Sequence, residues 1–537
     1  MPKKPTLHRT AIVQACIILL WGVACMVFFQ GFYHYHFFYQ EQNQIFLLTG
    51  GHMVSYLHRP AWLACLAGDF LTQFYYYLWV GPIILTLALL TVGDLARRAL
   101  ERAGLSHWWA FGVAIVLMTI EAVFCLKTIY RLSSVIALGG GLASYLLLSS
   151  CLKRGWVMIV LTLLVGTLLT YWLFGYGVWA LALLVLVDAI CHTVRKDFLR
   201  YLFVRLFPLL LFPLLVYIGN GRLSNYYLTA GKALTYPGIG KFSQPDFQLE
   251  KVFAVDNEYH FGNWKKVEQL VESEEHPNEM QLFFYNLVKA QKGELPDHLL
   301  RYTPNQLGTF YKIGPETPLL IINNMNELYW ALGDMTLTER AAMMTNVFAP
   351  DNRNVRMMKR LAECNLVSGD TLAANKYLRI LKHTWVYGDW ADLIMRHEPK
   401  AWHYFKEKQQ FVNKADTIRL TDNLHMVMME LLDSNPDNTV ALDYILCSTL
   451  LLKDMDNFKR DYDRYCQSTG RPRLKPLYQQ ALMIYLAGTN APEEEWKKYI
   501  VDQSLLQRFG EYNQHRGDSR FSDTYWYYFD TAKKPEL

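Results

Sequence analysis

Over the first 220 or so residues, long apolar runs alternate with short polar turns. From residue 249 onward the pattern changes to shorter stretches in which apolar positions recur every three or four residues. An apolar run of about 18 residues crosses a hydrocarbon core as a helix, because lipid offers no partner for unsatisfied backbone groups. The first pattern predicts seven membrane spans, at 11–29, 74–92, 109–126, 134–151, 156–174, 178–194 and 201–219. The fourth contains Gly139-Gly140-Gly141, which weakens a helix in water but lets helices approach closely in a bilayer.

The second pattern predicts amphipathic helix pairs. The clearest lies at 357–378, where Leu361, Ala362, Leu366, Ala373, Ala374 and Tyr377 fall at helix-turn-helix spacing around a Gly369-Asp370 turn. Weaker copies lie at 263–293 (Trp264, Ala290, Gly293), at 328–343 around Gly333-Asp334, at 441–458 around Lys453-Asp454, and at 477–488. The pattern resembles tetratricopeptide-like repeats, which stack into a solenoid that holds peptides or partner proteins. The expected fold is all-α. A polytopic transmembrane helix bundle of about seven spans fills 1–219, with a long first loop at 30–72. A membrane-proximal linker rich in Gly, Pro and aromatics follows at 220–248, and a soluble helical-repeat domain at 249–537.

Charge adds a direction. The mean hydropathy of +0.05 and net charge of +5 average two unlike halves. Lys3, Lys4 and Arg9 precede span one; Arg97, Arg98 and Arg102 follow span two; Lys153 and Arg154 follow span four; Arg195, Lys196 and Arg200 follow span six. Lys and Arg are retained on the cytoplasmic side, so these four clusters predict a cytoplasmic N-terminus. Seven crossings then put the first loop and the C-terminal domain outside. Aromatic residues at Phe74–Tyr77 with Trp79, at Trp108-Trp109, and at Tyr171-Trp172 with Trp179 agree, because such rings collect at headgroup depth. Gly22-Val23-Ala24-Cys25 faintly suggests a lipoprotein cleavage site, but apolar residues continue through Phe29, so span one reads as a retained anchor.

Candidate chemistry lies in the first loop, which is too long for a simple connector. It carries His34, His36, Glu41, His52, His58, Arg59 and Asp69. His34, His36 and Glu41 make a poor metal set, because residues two apart point to different faces of a helix. The sharper reading takes Glu41 or Asp69 as a catalytic carboxylate and Arg59 with His58 as a clamp for a lipid-linked phosphate. Polyprenol-dependent glycosyltransferases have a similar layout, with an essential acid in the first outer loop. Glu41 has no acidic neighbour, however, and fold alone does not assign function. Within the spans, Glu121 and Asp188 need explaining; pairing of Glu121 near Lys127 and of Asp188 with His192 and Arg195 serves as well as a proton relay. The nine cysteines show no metal-ligand spacing, and Cys364, Cys447 and Cys466 read as buried small hydrophobes.

No phosphate-cradling glycine loop, serine nucleophile elbow or HExxH helix is present, and the basic clusters read as topology signals, not as a nucleic-acid surface. No cofactor is expected. The partners expected are membrane lipids and a periplasmic protein or peptide.

Glu41, Arg59-Pro60, Gly68, Phe70-Leu71 and Gln73-Phe74, with Asn438, Asp443-Tyr444, Lys453-Asp454, Phe458 and Gln480-Ala481, resemble an uncharacterised Bacteroidetes multi-spanning membrane-protein family of unknown function. The resemblance covers nearly the whole chain and implies an inner-membrane protein with a periplasmic helical domain. It supplies no activity. Members often follow Arg-Pro with two glycines, whereas Ala61-Trp62 stand here, so no flexible turn is implied. Two functions follow as expectations. The first is a periplasmic helical-repeat domain held at the membrane for partner binding or scaffolding in envelope biogenesis. The alternative is a polyprenol-phosphate-dependent glycosyltransferase or related lipid-linked transferase.

Overall fold

The computed structural model describes residues 4–153, 155–192, 198–223, 228–302, 317–410, 412, 423–467, 475–499 and 502–533. Lys3, Arg154, Arg195, Lys196 and Tyr226-Tyr227 lie outside the described residues. Every regular element among the described residues is helical. The chain forms two compact units: Met1–Glu250 with Ile380–Asp389, and Lys251–Arg379 with Trp390–Leu537.

Unit 1 contains α1 (Lys4–Gly31), α2 (Tyr35–Gln42), α3 (Gly50–Ser55), α4 (Trp62–Thr72), α5 (Val80–Arg102), α6 (His107–Phe124), α7 (Leu132–Leu148), α8 (Trp156–Phe174), α9 (Val178–His192), α10 (Phe198–Leu223) and α11 (Ala230–Thr235). Four described stretches are long and apolar enough to cross a membrane: Ile12–Gly31, Val80–Arg102, His107–Phe124 and Trp156–His192. The last holds α8 and α9, divided by a tight turn at Gly175–Gly177. α7 and Phe203–Ile218 are apolar but shorter. Helix α5 begins six residues later than the apolar run predicts, because Gln73–Tyr76 winds as a 3₁₀ turn and Tyr77 is extended.

Helix α7 packs against α4, α5, α8 and α9, and most of its side chains are buried. Its glycines make that possible. A Cβ at Gly141 would lie 1.9 Å from the Gly177 carbonyl oxygen, and one at Gly140 would lie 2.0 Å from the Phe174 ring. Small residues exchange side-chain volume for close backbone contact, as the Gly139-Gly140-Gly141 run suggests. Outward faces are apolar: Leu19, Trp109 and Leu147 are 67%, 74% and 78% exposed. The C-terminal ends of α5, α7 and α9 meet, since Arg102 Nε donates to Ser149 Oγ at 3.2 Å and a Cβ at Gly104 would touch Cys191 and His192.

Helix α12 (Phe247–His260) starts in unit 1 and continues in unit 2. Along the chain follow α13 (Trp264–Glu272), α14 (Glu279–Gln291), α15 (Leu295–His298), α16 (Leu319–Leu332), α17 (Met335–Phe348), α18 (Val355–Ser368), α19 (Thr371–Leu381) and α20 (Gly388–Met395), whose facing ends belong to the Ile380–Asp389 segment of unit 1, and α21 (Pro399–Gln409). Next come α22 (Leu424–Ser434), α23 (Thr439–Leu451), α24 (Met455–Tyr462), α25 (Pro476–Gly488), α26 (Glu493–Tyr499), α27 (Gln503–Gln514) and α28 (Tyr525–Thr531).

One turn recurs in unit 2. A left-handed residue ends a helix, and an Asp caps the next by accepting a backbone N–H three residues on, satisfying groups that helix ends leave open. Gly333 (φ 82) precedes Asp334, which caps Leu337 N; Gly369 (φ 84) precedes Asp370, which caps Ala373 N; Lys453 (φ 54) precedes Asp454, which caps Asn457 N. Lys453 also donates to the carbonyls of Phe529 and Ala532. Around it, Tyr525 and Tyr528 hydroxyls donate to Leu450 and Leu451 oxygens at 2.8 and 2.9 Å, fastening α28 to the end of α23.

Candidate functional site

The first loop is folded. A 3₁₀ turn, Tyr56–His58, leads through Arg59 and Pro60 to Ala61, whose φ of 55 lies in the left-handed region that favours glycine. The two-glycine pattern after Arg-Pro thus has a backbone counterpart here, held by an alanine. Helix α4 then lies on α7, and Gly68 lets it approach: a Cβ there would fall 2.6 Å from Ser133 Cα.

That geometry brings Asp69 and Arg59 together. The Arg59 guanidinium lies 3.3 Å from Asp69 Oδ2 and 3.8 Å from the centre of the Tyr56 ring, and the Tyr56 hydroxyl donates to the same oxygen at 2.8 Å. His58 is exposed. Glu41 is 97% buried at the end of α2, where the Tyr387 hydroxyl donates to its Oε2 at 3.4 Å; Tyr387 belongs to the Ile380–Asp389 segment of the same unit. Phe74 and Tyr76 stack edge-on against Trp385 and Tyr387 of that segment.

His36, the second histidine of the weak metal set, sits in an aromatic nest of Phe29, Tyr33 and Phe37. Its Nδ1 lies 3.7 Å from Glu250 Oε2, while Tyr35 N donates to Glu250 Oε1 at 2.6 Å. Burial pushes His36 down to about 3 and Glu250 up to about 8, so near neutrality both are uncharged. No group of three metal-binding side chains occurs among the described residues.

The acids of the apolar helices have local partners. Tyr130 OH donates to Glu121 Oε2 at 2.6 Å and lies 3.2 Å from Tyr176 OH. Asp188 pairs with Arg205 and has His192 Nδ1 at 3.2 Å. The sequence pairing of Glu121 with Lys127 missed Tyr130 because the partner approaches from the turn after the helix, not along its face. Cys364, Cys447 and Cys466 are buried and unbridged.

Unit 2 holds a charged cluster that the sequence reading passed over. Arg356 grips Asp256 with two bonds of 2.9 Å and reaches Glu327 at 2.8 Å; Arg360 reaches the other Glu327 oxygen at 2.7 Å and Glu363 at 3.3 Å. Asp256, Glu327, Arg356 and Arg360 are all buried. Burial would raise the Glu327 carboxyl, but Arg360 and Arg356 outweigh it and hold it well below the usual range. The detectable signal was Arg356 and Arg360, one turn apart among the buried positions of α18. Trp330 adds an aromatic floor, with the Arg360 guanidinium 4.4 Å and the Lys408 ammonium 4.8 Å from its ring centre.

Many residues that carried the family resemblance have structural work. Asn438 caps α23 and donates to Leu332 O at 2.8 Å, Asp443 accepts from Tyr478 OH at 2.9 Å, and Gln480 accepts from Tyr525 N at 2.7 Å. No curated protein and no solved structure matches the chain. With helices throughout the described residues and motif residues built into both units, the chain matches over residues 9–532 and belongs to the family described as Family of unknown function (DUF6057).

Proposed function

We propose that this is a bacterial inner-membrane protein that presents a periplasmic, tetratricopeptide-like helical unit to a protein or peptide partner in envelope biogenesis. The recurring left-handed residue and Asp cap in unit 2 carries the reading, because it builds successive helix hairpins that bury their apolar faces against neighbours and leave other faces for binding. Support for the anchor comes from the apolar outer faces of unit 1 and from the meeting of the C-terminal ends of α5, α7 and α9, the ends that follow the second, fourth and sixth predicted spans. Phe348 and Leu372 are 63% and 85% exposed, unusual for large apolar side chains in water. A photo-cross-linking residue placed at either position in native membranes is expected to yield a discrete protein adduct. Adducts to lipid alone, or none, would contradict the proposal.

A lipid-linked transferase is the second reading. Arg59, Asp69 and Tyr56 form one cluster in the first loop, and Glu41 is a second, buried carboxylate there. Its demand is specific: a phosphate would have to replace Asp69 beside Arg59. Glu41→Gln and Arg59→Ala chains that fold and still complement a deletion strain would eliminate it.

A further inference from the structure

The geometry points to a carboxylate-binding site on unit 2, built from Lys408, Arg360 and Trp330, that takes an acidic side chain of the partner. The inference rests on the partner-binding reading above and names where one part of that partner sits.

Charge is the first ground. Around Trp330, the carboxylates Asp256, Glu327 and Glu363 face four cations, Arg356, Arg360, Lys359 and Lys408. Arg356, Arg360 and Lys359 each have a carboxylate within ion-pair distance, Lys359 at 3.4 Å from Glu363. Among the described residues Lys408 has none, and its ammonium rests on the indole face alone. Among the described residues this leaves one cation of the four, Lys408, without a carboxylate in ion-pair distance.

The surroundings explain why that charge seeks an anion. Burial and the neighbouring Arg360 charge push the Lys408 ammonium down to about 8, although Glu363 and Glu327 act the other way. Stacking on an indole returns only part of the hydration that a half-buried ammonium loses. An incoming carboxylate at Lys408, beside the Trp330 ring that both Lys408 and Arg360 approach, would gain charge-assisted bonds from the ammonium. A single negative charge suits a surplus of one, whereas a doubly charged phosphate would be repelled by Glu327 and Glu363. Beside the site, Tyr404 accepts from Trp330 Nε1 at 3.1 Å and is 49% exposed, giving an apolar wall for the methylenes of a glutamate.

The test uses the full chain in lipid nanodiscs with a hexaglutamate peptide as probe, and inorganic phosphate as the competing anion. Amine labelling read by mass spectrometry follows Lys408, with the exposed Lys265 as reference. If the peptide raises the Lys408 pKa by one unit from about 8, its free-amine fraction at pH 8 falls about fivefold, and labelling slows accordingly. Lys265 should not change. Lys408→Arg is expected to keep peptide binding, and Lys408→Met, which preserves the stem over Trp330, to lose it. Equal labelling with and without peptide, protection by phosphate as strong as by peptide, or undiminished binding by Lys408→Met would overturn the site. If Leu372 still cross-links a protein while Lys408 shows no protection, the carboxylate site fails and partner binding stands. No adduct at Leu372 or Phe348 would remove the reading on which the site depends.

Discussion

In unit 1, Gly68, Gly140, Gly141 and Gly177 lie where helices meet at backbone distance, and a Cβ on any of them would fall within 2.6 Å of a neighbouring atom. In unit 2, Gly333 and Gly369 end helices at φ values of 82 and 84, and a Cβ at Gly369 would meet nothing within 4 Å. The same residue thus supplies close approach in one unit and a left-handed turn in the other. Buried charge differs as well. Unit 2 gathers Asp256, Glu327, Arg356 and Arg360 in one mutually paired cluster in which the arginines hold the Glu327 carboxyl well below its usual range, whereas His36 and Glu250 of unit 1 are uncharged neighbours. Large apolar side chains cover the outside of unit 1, and the core of unit 2. The lesson is that unit 1, with apolar side chains on its outer faces, is held together by close helix fit, as helices in an apolar surrounding must be, whereas unit 2 gathers its apolar side chains into a core.

Substitutions break that comparison to different extents. The largest effect is expected from Arg356→Met, which strands Asp256 and half of the Glu327 pairing; removing one partner of a buried ion pair costs about 3–5 kcal/mol. Hydrogen exchange should then accelerate in α16 and α18 while unit 1 amides keep their protection. Gly141→Ala comes next, because the added methyl meets a backbone carbonyl that no rotamer change can move. Its cost is of order 3 kcal/mol, read as a lower thermal midpoint in nanodiscs. At the opposite extreme Gly369→Ala adds a methyl in open space and pays only for its left-handed φ, about 1 kcal/mol.

Between these lies a pH effect confined to unit 1. Folded Glu250 keeps its proton up to about pH 8, whereas the unfolded chain releases it near 4.5, so stability falls as pH rises through that window. His36 acts at the acid end: unfolded it takes a proton near 6.5 and folded only near 3, so stability falls as pH drops between them. Glu250→Gln should remove the alkaline limb, about 3–4 kcal/mol between pH 5 and 8, and leave the acid limb unchanged. Thermal midpoints measured across that range check it. A Gln variant with the parent's alkaline slope would show that another group titrates there.

Much of this was legible because it follows local periodicity. The apolar runs marked α1, α5, α6, α8 and α9, the glycine run marked the tight centre at α7, and Gly-Asp or Lys-Asp pairs marked the hairpin turns of unit 2. What stayed hidden depends on residues far apart in sequence. Asp256 and Arg356 are separated by 100 positions and Glu41 and Tyr387 by 346, and no spacing rule reaches across such gaps. The candidate clamp was half legible: Arg59 and Asp69 do meet, ten residues apart, but they meet each other and Tyr56.

Thiol accessibility tests the central comparison most directly. Single cysteines replace Leu147 and Leu210 on the outside of unit 1 and Leu372 on unit 2, all highly exposed, and a membrane-impermeant maleimide is applied to intact spheroplasts. The account expects rapid labelling at Leu372→Cys and none at the other two until detergent is added. Labelling of Leu147→Cys as fast as Leu372→Cys would contradict an apolar surrounding for unit 1, and labelling of Leu372→Cys only after lysis would contradict the outward placement of unit 2.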